Sequence, residues 1–456
     1  MRSSTVRAWG NLALPAAAVG LVLIAALIPN QRVDRPTSGD VPVTQRTFAC
    51  PASGQTHLAV GQLVAGTSRV VDLLSKDGVT PADDLTEATR WQTRRLGSPG
   101  AIVTQDGAGS GAEGYVVSRA GKSAGEGLSV AACGSVIDEA WFLGLGTADR
   151  RSSTLVLANL ADTPAVADVR LWNRAGEVDA VNASGISVEP RSIVRIPVSD
   201  LAAGEPDLAA QVLRRRGVLT AMVEDSSTAT FAGTELISPI DEPSRDQVVA
   251  GIDGQLRGKT LLVLNPGDQN ARVDVTAYTA DGPVADAGLQ DLKVAAGRYR
   301  VIAIPDGVGA GPQTLRITSD RDVVAAARVS PDVADYLVAE SAPLLDGPAI
   351  VPVDLGRDRG AWKLILSAVD DDVAVEVVGY DDRMRPIGRT TVPVVARTTV
   401  GITAADIDTD GDLAYLTVSG DGPVVGAVTY SLRDLVSSLM LRSASVTVDA
   451  PVVLPD

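Results

Sequence analysis

A 22-residue stretch, residues 155–176 (LVLANLADTPAVADVRLWNRAG), occurs three times in this chain. A shift of 106 carries Asn159 onto Asn265, Asp162 onto Asp268, Val169 onto Val275, Trp172 onto Tyr278 and Gly176 onto Gly282. A further shift of 102 reaches Ser367, Asp370, Val377, Tyr380 and Met384. Neither step needs a gap, although the third copy loses the turn glycine. Each copy reads as strand, tight polar turn, strand, polar turn. In the second strand, Ala167, Val169 and Leu171 alternate with polar residues, as do Val273, Val275 and Ala277, and Val373, Val375 and Val377. A period of two marks a strand with one face in a core.

Short apolar strands recur around each copy, with turn signals between them. Seven or eight strands per hundred residues imply a β-sandwich, and the regular period implies tandem repeats. The expected fold is all-β: tandem immunoglobulin-like sandwiches after one N-terminal transmembrane helix. A β-propeller is the alternative, and eight strands are too many for a single blade. In each copy the aromatic (Trp172, Tyr278 or Tyr380) stands three positions after a core valine. That odd step puts it on the opposite face, so it packs under a loop or against a neighbouring unit unless a bulge turns it inward.

The N-terminus carries Arg2 and Arg7 ahead of a charge-free run at 12–28. Residues 8–28 are long enough to span a bilayer as a helix, and the preceding arginines favour a cytoplasmic tip. A cleaved signal peptide competes, but the run ends in Leu27, Ile28 and Pro29, a poor cleavage site. Both readings export the rest of the chain. The expected layout is a tip at 1–9, a signal-anchor at 10–29, a linker at 30–46, a first β unit at 47–137, and repeats at 138–246, 247–347 and 348–456. The tail at 450–455 resembles a unit-opening strand and is expected to cover an edge of the last sandwich.

Cys50 and Cys133 are the two cysteines, one near each end of the first unit. Neither sits in a CxxC pair, so zinc or redox chemistry is disfavoured. In an exported body they imply a disulfide; two buried free thiols are the alternative. His57 is the single histidine, so a Ser-His-Asp or Cys-His arrangement has one place to form, and no G-x-S-x-G elbow accompanies it. Asp406, Asp408, Asp410, Gly411 and Asp412 match the start of a calcium loop, but Thr417 stands where a bidentate glutamate belongs; a solvated turn is the expectation. Arg214, Arg215 and Arg216 read as a hairpin tip. Asn182 begins an Asn-Ala-Ser glycosylation pattern, relevant only in a eukaryotic secretory pathway. The net charge of −16 argues against nucleic acid, whose phosphates need a basic surface. No cofactor, metal or catalytic residue is expected.

Leu262, Leu264, Asn265 and Pro266, with the alternating valines and Val188, Pro190 and Ser192, form a pattern L-x-L-N-P … V-x-P-x-S. With the Ala/Val/Asp/Arg bias and the single anchor, it resembles an uncharacterised family of actinobacterial secreted or membrane-anchored proteins over most of residues 45–450. The last unit departs from the pattern, with Ser367 and Ala368 for Asn-Pro and Ala396 and Thr398 for Pro and Ser. The family has no assigned activity, so the resemblance transfers no site. It implies a cell-envelope location and points towards envelope biogenesis. The expected function is non-catalytic binding or scaffolding in the bacterial envelope, with an envelope protein or wall polymer as partner. The rival is a cell-wall glycan hydrolase with paired carboxylates, which needs a cleft of converging acids beside Trp91, Trp141 or Trp362.

Overall fold

The computed structural model describes residues 39–450, except 43–44, 53–54, 64–68, 76–77, 83–90, 98, 107–110, 121–125, 229–231, 254–255, 309–310, 331–334, 355–359, 408, 410 and 445–446. The expected anchor at 10–29 lies outside these residues. Among the described residues no helix is long and apolar enough to cross a membrane. Strands dominate the described residues, which also hold three single turns of 3-10 helix at Val198–Asp200, Ala287–Leu289 and Ala404–Asp406.

The chain divides into two units. The smaller contains a two-stranded sheet of Gly39–Pro42 and Thr447–Ala450. The tail expected to cover an edge of the last sandwich, residues 450–455, lies outside the described residues apart from Ala450.

The larger unit holds four repeats of one topology. In the second repeat the strands run Glu139–Leu145, Arg151–Asn159, Ala165–Trp172, a broken fourth (Glu177–Val178 and Ile186–Val188), Ile193–Pro197, Leu208–Arg216, Leu219–Thr228 and Ala232–Ile237. The first, sixth, third and fourth strands form one sheet; the fifth, second, seventh and eighth form the other. The same order recurs in the first repeat (Gln45–Pro51 to Gly127–Ala132), the third (Ser244–Asp253 to Leu337–Glu340) and the fourth (Ala349–Pro352 to Leu435–Met440). In the third, one strand, Pro312–Val329, serves as sixth and seventh and passes from one sheet into the other.

Two sequence expectations are corrected here. In an immunoglobulin sandwich the second strand lies between the first and the fifth; here it lies between the fifth and the seventh, in the other sheet from the first. The sandwiches are therefore not immunoglobulin-like in topology. The first unit, expected to stand apart from the three repeats, is a full copy of the same fold. The propeller alternative with one blade per repeat does not form either, since each repeat supplies two facing sheets.

Alternation explains the third strands. Ala271–Thr279 buries every second residue from Ala271 to Ala277, and Ala165–Trp172 follows the same rule. The second and seventh strands are apolar on both faces because both are covered. Leu261 and Val263 point into the third repeat's own core, whereas Leu262 and Leu264 join a core shared with the second repeat. On the seventh strand Val323, Ala325 and Ala327 divide from Val324 and Ala326 in the same way.

The recurrent asparagine is structural. Asn265 is fully buried. Its amide donates to the carbonyls of Gln269 at 2.7 Å and Val294 at 3.1 Å, and its Oδ1 accepts from Gly267 N at 3.1 Å. Asn159 repeats this with Thr163, Val188 and Ala161. Each ties the turn after the second strand to the strand before the fifth. Ser367 is too short for that reach and bonds Thr314 and Thr399, both at 2.7 Å. Met384, where the other copies have glycine, adopts φ 60°, a conformation that costs a non-glycine residue roughly 1–2 kcal/mol.

Successive repeats pack in a closed circuit. Ala49 and Ile102 of the first meet Ala158 and Leu160 of the second. Gly144 N of the second donates to the Tyr299 hydroxyl of the third at 3.1 Å. Val248 and Ala250 of the third pack on Val369, Val425 and Ala427 of the fourth. The fourth then returns to the first: Tyr115 Oη donates to Ile350 O at 2.7 Å, and Trp91 N to Asp382 O at 2.7 Å.

Candidate functional site

The eighth strands of the four repeats converge at the middle of this circuit, and the most unusual chemistry of the described body lies there. Asp335, just ahead of the third repeat's eighth strand, is 1 % exposed. Its Oδ2 accepts from Leu128 N at 2.9 Å and Val436 N at 3.1 Å; its Oδ1 accepts from Tyr336 N at 3.0 Å and Thr234 N at 3.3 Å. One carboxylate thus takes a backbone proton donor from each of the four repeats. The close approach needs glycine opposite: a Cβ on Gly233 would lie 2.2 Å from Asp335 Oδ1.

Two more carboxylates are buried beside it. Glu235 accepts from Leu236 N at 3.0 Å and from Ser437 Oγ at 3.2 Å, while Ser437 Oγ accepts from Val130 N at 2.9 Å. Glu340 accepts from Ser238 N at 2.6 Å. Burial pushes Asp335 and Glu340 up to about 7, against the downward pull of their N–H donors. Burial, with the charges of Asp335 and Glu340, raises Glu235 well above the usual carboxylate range.

Next to this centre, between the second and third repeats, lies a buried ionic network. Arg151 reaches Asp225 at 3.2 Å, and Asp207 at 3.6 Å; Asp207 also meets Arg328 at 3.7 Å. Ser153 and Tyr336 both donate to Asp225. Buried pairs of this kind cost several kcal/mol when one partner is removed, so the network specifies how these repeats dock.

Three open depressions lie near the connectors between repeats. One of about 390 Å³ is lined by Asp241, Glu242, Asp246, Leu344 and Asp370. One of about 540 Å³ includes Glu139, Glu242, Asp268 and Arg321. One of about 240 Å³ runs past Cys133, Val136, Asp241 and Arg442. Several of these acids are paired: Arg442 with Asp241 at 2.8 Å, and Arg316 with Asp246 at 2.6 Å and Asp370 at 2.8 Å. Among the described residues no group of histidine, cysteine and carboxylate side chains is arranged to hold a metal ion.

Cys50 and Cys133 form a disulfide, with Cα atoms 4.7 Å apart. It joins the first strand of the first repeat to the residue after its eighth, alongside paired backbone hydrogen bonds between Ala49 and Gly134. His57 is half-buried on the second strand, in register with Arg95 and Val117. Asp406 Oδ2 is engaged by Thr403 N and Thr403 Oγ1, both at 2.8 Å, as a helix cap that lowers its pKa. Asp408 and Asp410 lie outside the described residues. The arginine run ends the sixth strand at a turn that crosses to the other sheet, so it is not the expected hairpin tip; Arg214 pairs with Asp138, and Arg215 with Asp168 at 2.7 Å. Asn182 is exposed.

The three repeat aromatics lie opposite the core valines, as the odd step requires. Trp172 shares Arg170's face, with the guanidinium 4.9 Å from its ring centre, and its ring lies 5.3 Å from that of Trp141. Tyr278 accepts from Arg316 at 3.2 Å, and its backbone carbonyl accepts from Thr399 of the next repeat. Tyr380 is half-buried and stacks on Tyr415 at 4.9 Å; Tyr415 stacks in turn on Trp91 of the first repeat at 5.0 Å.

The sequence profile of a family of unknown function (DUF5719) matches residues 92–405. The chain belongs to that family. The family match begins with the fifth strand of the first repeat and ends just past the fifth strand of the fourth, so it takes in three periods of the fold. No curated protein matches the chain. Among solved structures, a glycoside hydrolase family 32 protein from Bifidobacterium adolescentis aligns over 89 % of this chain and 96 % of its own, at 10 % identity and a TM-score of 0.14, a value too low to indicate a shared fold.

Sequence reasoning missed the central carboxylates. Their signal was a lone acid in an apolar strand, Glu235 in AGTELI and Glu340 in LVAE. Asp335 sits next to the latter.

Proposed function

We propose that this DUF5719 protein is a non-catalytic scaffold of the bacterial cell envelope, held at the membrane by residues 10–29, with its body outside the cytoplasm and an envelope protein or wall polymer as its partner. One observation carries the reading most: the tryptophan rings of the described body are used in packing. Trp91, Trp141, Trp172 and Trp362 are each 9 % exposed or less, so they offer no platform for a sugar ring beside paired acids. What faces outward is polar and acidic, with isolated apolar side chains such as Val136 and Leu344, 51 % and 48 % exposed beside the connectors. Connector loops on a packed body suit binding, since loops on a fixed scaffold commonly carry recognition.

The test is photo-crosslinking in cells from a probe amino acid at Val136 or Leu344 of the full chain. The expected result is a discrete adduct with an envelope protein or a wall-polymer fragment. Adducts confined to cytoplasmic proteins would contradict the reading. Release of soluble sugar from purified wall by the full chain would replace it with the glycan-hydrolase alternative.

A further inference from the structure

We infer that Asp335 is a built-in ligand: its ionised carboxylate fills an anion-binding nest made by the edges of four sheets, and that occupancy holds the four repeats around one centre. The eighth strand is the edge of its sheet in every repeat. An edge strand carries a row of N–H groups with no neighbouring strand to take them, which invites pairing with another chain. Here side-chain oxygens take those groups. Ser437 Oγ takes Val130 N, Glu235 takes Leu236 N and Glu340 takes Ser238 N. Each of these serves one described backbone donor. Asp335 serves four, at Leu128, Thr234, Tyr336 and Val436.

The donor set fits a carboxylate and no neutral side chain of its size. Four donors need about four lone pairs, which an ionised carboxylate offers with no hydrogen of its own. Asparagine would turn its NH2 group onto two of the donors. A carboxyl O–H would likewise face an N–H, because each oxygen of Asp335 already accepts two. Backbone N–H groups that converge in this way make a site for an anion, and a buried N–H left without an acceptor is costly. The backbone is shaped for the close approach. A Cβ on Gly127 would lie 3.0 Å from Asp335 Oδ1 and closer still to Thr234 N, and Gly233 beside it adopts φ 145°.

The consequence falls on one seam. The chain spans three of the four junctions, at 133–138, 238–243 and 341–348, whereas the fourth repeat meets the first without a connector. Asp335 joins that pair too, because its Oδ2 holds both Leu128 N of the first repeat and Val436 N of the fourth. One oxygen of the third repeat thereby links two repeats that share no connector. Loss of the carboxylate is felt first there.

Two variants of the full chain test this at pH 8, above the value of about 7 to which burial pushes Asp335. In Asp335→Asn, hydrogen exchange at the Leu128 and Val436 amides is expected to accelerate at least about tenfold, ahead of the amides between the second and third repeats. Asp335→Gly removes the ligand and keeps the four donors. Formate should then raise its unfolding midpoint in a saturable way, and by more than sodium chloride at the same ionic strength. Formamide, of similar size but neutral, should not. An Asn variant that exchanges like the native chain overturns the assignment, as does a folded Gly variant that formate stabilises no more than chloride does. If the Asn variant fails to fold, the Gly variant decides alone. If the Gly variant fails to fold in plain buffer, its refolding from denaturant decides. Folded chain recovered in formate and not in chloride supports the built-in ligand; equal recovery in both, or none in either, overturns it.

Discussion

Replacing Trp91 with alanine is expected to lower the stability of the body by about 3–5 kcal/mol, the usual loss for a buried tryptophan. The effect is large because the ring works at the one junction with no chain across it. Trp91 is 4 % exposed and stacks on Tyr415 of the fourth repeat at 5.0 Å and Tyr115 of its own at 6.4 Å. Gly61 leaves room for it, since a Cβ there would lie 2.5 Å from the indole. Removing the ring opens a void between Ala59, Tyr415 and their neighbours in a core that spans both repeats. Denaturant unfolding gives the magnitude, and hydrogen exchange gives the place. Protection should fall first at the seam of the first and fourth repeats. A loss under about 1 kcal/mol with the seam unchanged would show that the stack is not buried as described.

The second large effect concerns the disulfide. Cys50 and Cys133 are separated by 83 positions, and cross-linking a loop of that length is worth roughly 4–5 kcal/mol in the chain-entropy picture. A Cys50→Ala, Cys133→Ala variant is expected to lose about that much stability. The loss should centre on the first repeat, where both half-cystines sit in the core with Phe48, Leu58 and Val116. Non-reducing peptide mapping of the native chain should recover the two cysteine peptides joined. Two thiols that alkylate without reductant, or a variant as stable as the native chain, would contradict it.

Much of the fold was legible because it rests on local alternation. The repeat period and the all-β class follow from valines two residues apart and from turn chemistry, but the strand-turn-strand unit is not a hairpin, because the second and third strands of each repeat enter different sheets. The first repeat was not legible, because its third strand, RVVDLLS, lacks clean alternation and ends without an aromatic. Topology was not legible either. Whether the second strand pairs with the fifth and seventh, or with the first and fifth, depends on contacts between residues tens of positions apart, and the apolar pattern is the same for both. The two-sided second and seventh strands were the available clue that repeats pack side by side: LLVLN buries consecutive residues, which a sandwich with one wet face has no use for. The carboxylate centre was hidden for the same reason as the topology. Asp335 gains its meaning from Leu128, Thr234 and Val436, one hundred or more residues away. The disulfide was legible from count and placement alone, since two cysteines near the ends of one unit have one pairing.

The closed circuit of four repeats is the claim on which the Trp91 result depends, and a single distance tests it. Spin labels at the exposed positions Thr93 and Arg383 of the full chain report it by pulsed electron paramagnetic resonance. Trp91 N lies 2.7 Å from Asp382 O. The labels, each one or two residues from that bond at roughly 3.3–3.6 Å per residue, are therefore expected about 20 Å apart or less. A linear array of four sandwiches, each about one strand length of 30 Å, would separate them by on the order of 100 Å. A narrow short distance is the expected result; a distribution centred beyond about 60 Å would contradict the closed circuit.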